Sequence, residues 1–307
     1  MIGVELWAGL AIIAALGQTT RNALAQSISS KISPALNSWS RFTFCLPFAA
    51  ATCAVVVSQS GIPQLPASFF GYCLATALTQ LLGNVALVAA FRAGGFGESI
   101  VFHKLEVLLT AIVGALWFAE IPSLVGAFGI AICGVGVLLI NLARDSEKTQ
   151  WTRAFQLGRA GGLALLCAAL LVLASFALKA ASAVVVDANP NIASGSFEAP
   201  IQTLFHTTWI EVVLLSVWIA AREPDSIRQI PVHWRRMLLI GAAGFAASLC
   251  WFWAYSLTLV AYVKAVGQIE ALLAVGLGIR MLGEKSLVRQ LPGVLVVTTG
   301  IVLVLLG

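Results

Sequence analysis

Charge is what this sequence has least of. Only 10% of its 307 residues are Asp, Glu, Lys or Arg, against roughly a quarter in soluble globular domains. No polar stretch is long enough to be a domain, because the longest interruptions, residues 144–156, 187–199 and 222–236, are loop-sized. A water-soluble fold is excluded. The 18 basic residues exceed the 13 acidic ones, for a net charge of +5, yet they are spread thinly between apolar runs. Nucleic acid needs a dense basic patch, so it is not an expected partner. The opening MIGVELW lacks the basic stretch and the small-residue cleavage site of a secretion signal, so the first apolar run is expected to remain as a helix. All six cysteines fall inside apolar runs, with no CxxC or Cys/His spacing, and read as packing residues. Nucleophile elbow, P-loop, dinucleotide fingerprint and HExxH are all missing, and the three histidines are scattered. No catalytic residue, metal or cofactor is expected.

What is there is hydrocarbon. Hydrophobic residues make up 60% of the chain and the mean hydropathy is +0.96. Runs of about 20 apolar residues, each enough to cross ~30 Å of bilayer, recur throughout. The pattern predicts an all-α integral membrane protein with ten transmembrane helices, near 4–24, 35–57, 69–91, 96–118, 122–142, 159–185, 199–221, 237–256, 261–281 and 288–306. Prolines punctuate the breaks: Pro34, Pro63, Pro66, Pro122, Pro190, Pro224 and Pro231.

One stretch occurs twice. Residues 98–120, ESIVFHKLEVLLTAIVGALWFAE, align with 262–284, YVKAVGQIEALLAVGLGIRMLGE, at an offset of 164 positions. Glu106 then meets Glu270 and Glu120 meets Glu284, while Gly129 and Gly136 meet Gly293 and Gly300. Ten helices divided by such a repeat give two halves of five: residues 1–143, a linker loop at 144–158, and residues 159–307. Five is odd, so the second half enters from the opposite face. That is the inverted repeat of many secondary transporters, whose site lies near the midplane.

Glu106 and Glu270 each fall about midway along a predicted helix, where a charge costs about 2.5–3.5 kcal/mol on insertion scales and needs a cavity or a partner. Ser99, His103, Glu106 and Thr110 form one polar helix face, and Lys104, Lys264 and Gln268 lie close by in sequence. Two readings stay open. In one, these residues contact a small-molecule substrate or a coupling proton. In the other, they are structural ion pairs such as Glu106 with Lys264. Trp251 and Tyr255 share a face of helix 8, as a cavity wall or an interfacial belt, while Trp253 looks elsewhere. Glu120 and Glu284 stand just before a helix start and read as capping carboxylates. The glycines spaced by seven read as close helix packing.

Thirteen of the 18 basic residues lie in or beside the odd-numbered loops, and the other loops and both termini have none. The positive-inside rule then puts both termini outside the cell membrane.

The chain resembles the EamA-like ten-helix permeases of the drug/metabolite transporter superfamily. The resemblance rests on RMLGEKSLVRQLPGVLVVTTGIVLVLL in the second copy and LWFAEIPSLVGAFGIAICGVGVLLI in the first, with Ala119 in place of the family's glycine. It rests also on Pro34 followed by Arg41-Phe42. It implies secondary transport, often export, of a small polar metabolite such as an amino acid, and structural roles for Arg41, Phe42, Glu120, Gly283 and Glu284. Family habit puts both termini inside, against the charge count. Proton coupling and a homodimer are left open. A channel would need a repeated polar filter, and a lipid-modifying enzyme would need a catalytic constellation, so both rank behind the carrier.

Overall fold

The computed structural model describes residues 2–93, 99, 102–144, 158–273 and 289–307. The expected Gly283 and Glu284 lie outside the described residues. In chain order the helices are α1 Ile2–Ile28, α2 Pro34–Thr43, α3 Leu46–Ser60, α4 Ala67–Ala93, α5 Glu106–Trp117 and α6 Leu124–Arg144. After them come α7 Arg159–Ala188, α8 Glu198–Arg222, α9 Ile230–Leu257, α10 Val260–Gly267 and α11 Leu291–Leu306. Among the described residues, five helical stretches of at least 25 residues are apolar enough to cross a bilayer. Their outward side chains agree: Val85, Val217 and Leu239 are 65%, 64% and 55% exposed. Water would penalise that surface heavily, and lipid would not.

Three predicted helices differ from the expectation. The run at 35–57 is two helices, because Pro47 in the first turn of α3 has no N–H to offer the carbonyl four residues back. The chain steps aside at Phe44 and Cys45. At its start, Ser33 caps α2, its hydroxyl oxygen accepting from Leu36 N at 3.1 Å. The helices expected at 96–118 and 261–281 are interrupted at Leu105 and Gln268. The repeat offset puts Leu105 opposite Ile269, so the two interruptions fall within one residue of each other in the two copies.

The chain divides into two compact units. The first comprises residues 1–12, 79–176 and 258–307. Its main contact is α6 against α11, which run antiparallel: Gly129 lies beside Gly300 and Val304, and Gly136 beside Gly293 and Val297. A Cβ on any of these glycines would sit 2.6–2.7 Å from a backbone nitrogen of the other helix. Small residues thus bring two backbones into direct contact, as the spacing led us to expect. The second unit comprises residues 13–78 and 177–257. Here α8 and α9 pack on α2 and α3, around a cluster of Ile28, Ile32, Leu36, Ile219, Met237 and Ile240. A Cβ on Gly241 would lie 2.4 Å from the Phe44 carbonyl carbon, so α9 presses directly on the step between α2 and α3.

Candidate functional site

In the first unit, the interruption at Leu105 makes Glu106 the first residue of α5. It is not midway along an unbroken helix, as the sequence suggested. Gln268 ends α10, with its amide bonded back to Ala265 O at 3.1 Å, and Glu270 follows two residues on. Gly267 weakens the helix at that point. Nothing local in the sequence marks the break at Leu105.

The Lys264 ammonium donates to Glu106 Oε1, and also reaches the Leu171 carbonyl at 3.4 Å. The Lys264 side chain is 7% exposed and that of Glu106 is 21% exposed, so the pair is largely removed from water. Burial of that degree costs each ion several kcal/mol, and mutual attraction roughly returns it. Such a pair adds little stability, but it is neutral as a unit and either half can be replaced by a charge of the same sign.

The neighbouring candidates fall into groups. His103 is electrostatically coupled to Glu106, Lys104, Lys264 and Glu270, and its Nδ1 lies 3.6 Å from Cys167 Sγ. Ser99 is fully buried. The Thr110 hydroxyl is taken up by the Glu106 carbonyl of its own helix at 2.7 Å, which leaves its oxygen and not its proton for a solute. Gln268 donates to Lys264 O at 3.1 Å, and its Oε1 is buried with no hydrogen-bond partner among the described residues. Glu120 caps a helix distant in sequence. Its Oε2 accepts from Val260 N at 2.8 Å, at the first turn of α10.

Trp251 and Tyr255 belong to the second unit, where their rings stack at 5.7 Å and 18°. Trp253 points elsewhere and donates to Gly195 O at 2.9 Å. Arg41 and Phe42 are in the same unit, with the guanidinium carbon 4.7 Å from the Phe42 ring centroid.

Sequence reasoning missed Glu211. It lies near the middle of α8, 13 residues from Glu198 and 11 from Arg222, and is 2% exposed. Arg41 is its electrostatic neighbour. A lone carboxylate in an apolar run was the available signal, the same one that marked Glu106. A search for carboxylates that recur at the repeat offset passes over it, because 211 − 164 is 47, a proline.

The sequence profile of the EamA-like transporter family matches residues 5–142 and 166–306, almost the whole chain in two copies. The chain belongs to the EamA-like transporter family. It is therefore a multi-pass membrane protein of the drug/metabolite transporter kind. A crystal structure of another protein, 14% identical, superposes on it with a TM-score of 0.68 over 97% of this chain and 96% of that one. At that identity the likeness concerns the fold of this EamA-like chain alone. Among curated proteins none matches.

Proposed function

We propose that this protein is a secondary carrier that exports a small polar metabolite by alternating access. Its ten helices form two inverted five-helix repeats, residues 1–143 and 159–307, joined by the loop at 144–158. The repeats rock so that a site near the midplane faces each side of the cell membrane in turn. The observation that carries the reading is the Glu106–Lys264 pair, which joins the two repeats with Glu106 beside one helix interruption and Lys264 one turn before the other. Interrupted helices with charged side chains at the break are how such carriers place polar groups inside hydrocarbon. The antiparallel pairing of α6 and α11, equivalent helices at the repeat offset, supports the inverted arrangement.

Within this reading Glu106 and Lys264 exchange their mutual contact for a solute group or a proton, and Glu270, His103, Lys104, Ser99, Thr110 and Gln268 form the polar surround. Purified protein in proteoliposomes, preloaded with pooled metabolites, tests it by counterflow. Saturable uptake that is accelerated by solute on the far side is expected. Flux that rises linearly without saturation would indicate a channel, and chemical conversion of the solute an enzyme; either result overturns the carrier.

A further inference from the structure

We propose that the second unit carries a binding site for a small organic monocation with a neutral oxygen close to its ammonium group, an amino alcohol being the simplest form. The site uses none of the residues that the carrier reading invokes and does not rest on it.

Its frame is a cavity of about 190 Å³ where the end of α3, the end of α7 and the start of α8 meet. Ser60, Gln64, Asn189, Asn191, Glu198 and Gln202 supply the polar lining, and all six belong to the second unit. The walls are tied together without any ligand. The Ser60 hydroxyl donates to Glu198 Oε1 at 3.0 Å, which joins the last residue of α3 to the first of α8. Asn189, 6% exposed, accepts from Gln64 N at 2.8 Å and donates to Gln64 O at 2.9 Å. Those two bonds hold the loop that begins at Gly61, whose φ of +86° turns the chain out of α3. A cavity fixed in this way spends little on ordering when a ligand enters.

Two groups in it define the ligand. Gln202 is 3% exposed, and the Cys53 thiol donates to its Oε1 at 3.3 Å. The other end of the amide, Nε2, is buried and has no hydrogen-bond partner among the described residues. A buried donor left unmade is costly, so the ligand must bring an acceptor. Glu198 is the one ionisable side chain in the lining. No Lys or Arg occurs in residues 42–91 or 180–221, the stretches that supply every lining residue. Asp187, two residues before Asn189, adds charge of the same sign as Glu198. The cavity therefore favours a cation.

Together the two demands exclude simpler occupants. A bare metal ion would meet the N–H groups of Gln202 with like polarity, and the cavity is several times the ~30 Å³ share of a single water molecule. A carboxylate on the ligand would be repelled by Glu198 and would find no cation. A neutral polyol would leave Glu198 without a counter-charge. An ammonium group with a hydroxyl a few bonds away meets both: the ammonium takes Glu198, and the oxygen accepts from Gln202, one turn or about 6 Å further along α8.

The test uses the purified full-length protein in detergent, near neutral pH and at constant ionic strength, with thermal unfolding followed by tryptophan emission. Ethanolamine, ethylammonium, ethylene glycol and glycine are titrated separately. Ethanolamine should raise the unfolding temperature. Ethylammonium, which lacks the oxygen, should need about fivefold more for the same shift, and ethylene glycol and glycine at least about tenfold more. Gln202→Leu should bring ethanolamine to the level of ethylammonium and leave ethylammonium as it was, while Glu198→Gln should remove both responses. No shift with ethanolamine would mean that the cavity holds water only. Equal shifts with ethanolamine and ethylammonium, or with ethanolamine and glycine, also overturn the site, and these comparisons on the wild type need no variant to fold. Counterflow without any of these shifts removes the site and leaves the carrier reading standing.

Discussion

Glu120 accepts the backbone amide of Val260 at 2.8 Å, so a carboxylate at the end of one repeat's helix caps α10, 140 residues later. Repeat-equivalent or not, this is a tertiary contact inside a helix terminus. Glu120→Ala removes a charged acceptor from the free N–H groups of α10 and should cost about 1–2 kcal/mol. Thermal unfolding in detergent checks it. A melting curve superposable on the wild type would show that Val260 finds another partner at no cost.

Ala119, the residue before it, sits at φ +53°, a left-handed conformation that disfavours a Cβ. The turn is closed by Phe118 N and Glu120 N, which both donate to Gly114 O, at 3.1 and 2.9 Å. This is the position where the resemblance led us to expect glycine. Ala119→Gly should stabilise the protein by about 1 kcal/mol, and Ala119→Val should destabilise it by more. If glycine lowers the unfolding temperature, the left-handed turn is not what limits this corner.

Much of this could be read from the chain before any coordinates. Long apolar runs and a doubled segment give the membrane class and the family, because a bilayer imposes length and composition so strictly. The ion pair of Glu106 with Lys264 was one of two readings open for those residues. What could not be read are the places where tertiary contact overrides local pattern. Leu105 interrupts a helix with no proline or glycine to announce it. Glu120 was expected at a helix end, and sequence adjacency cannot say that the fold also brings the start of α10 alongside it. Glu211 escaped because function was sought among residues that recur at the repeat offset, and that offset puts a proline, Pro47, opposite it.

The α6–α11 contact makes a sharp distinction among glycines. A Cβ at Gly136 would be 2.6 Å from Val297 N, and one at Gly300 2.6 Å from Cys133 N, with backbone on both sides that cannot swing away. Gly136→Ala or Gly300→Ala should force the helices apart and cost about 1–3 kcal/mol each. Gly9 in α1 has nothing within 4 Å of its would-be Cβ. Gly9→Ala should be neutral or stabilising by about 0.5–1 kcal/mol. The three unfolding temperatures, compared side by side, decide whether proximity or helix propensity governs.

Charge placement carries an orientation. With thirteen of the 18 basic residues in or beside odd-numbered loops, the C-terminus should lie outside. Alkaline phosphatase, which is active only on the outer face, is expected to be active when fused after Gly307. Silence from a well-expressed fusion would place both termini inside, as is usual in the family.

Glu106 and Lys264 allow the structural and functional readings to be separated within one experiment. Removing one partner strands a buried charge, so Glu106→Gln and Lys264→Met should each destabilise the protein by about 3 kcal/mol and abolish counterflow. Removing both leaves no stranded charge, and the double variant should recover most of the lost stability. Here the readings part. If the pair only holds the helices together, the double variant transports as well as it folds. If the pair contacts solute or proton, it folds and does not transport. We expect the second outcome, with Glu270→Gln also reducing transport at unchanged membrane abundance. A double variant with wild-type counterflow would remove Glu106 and Lys264 from the transport site and leave them as a strut.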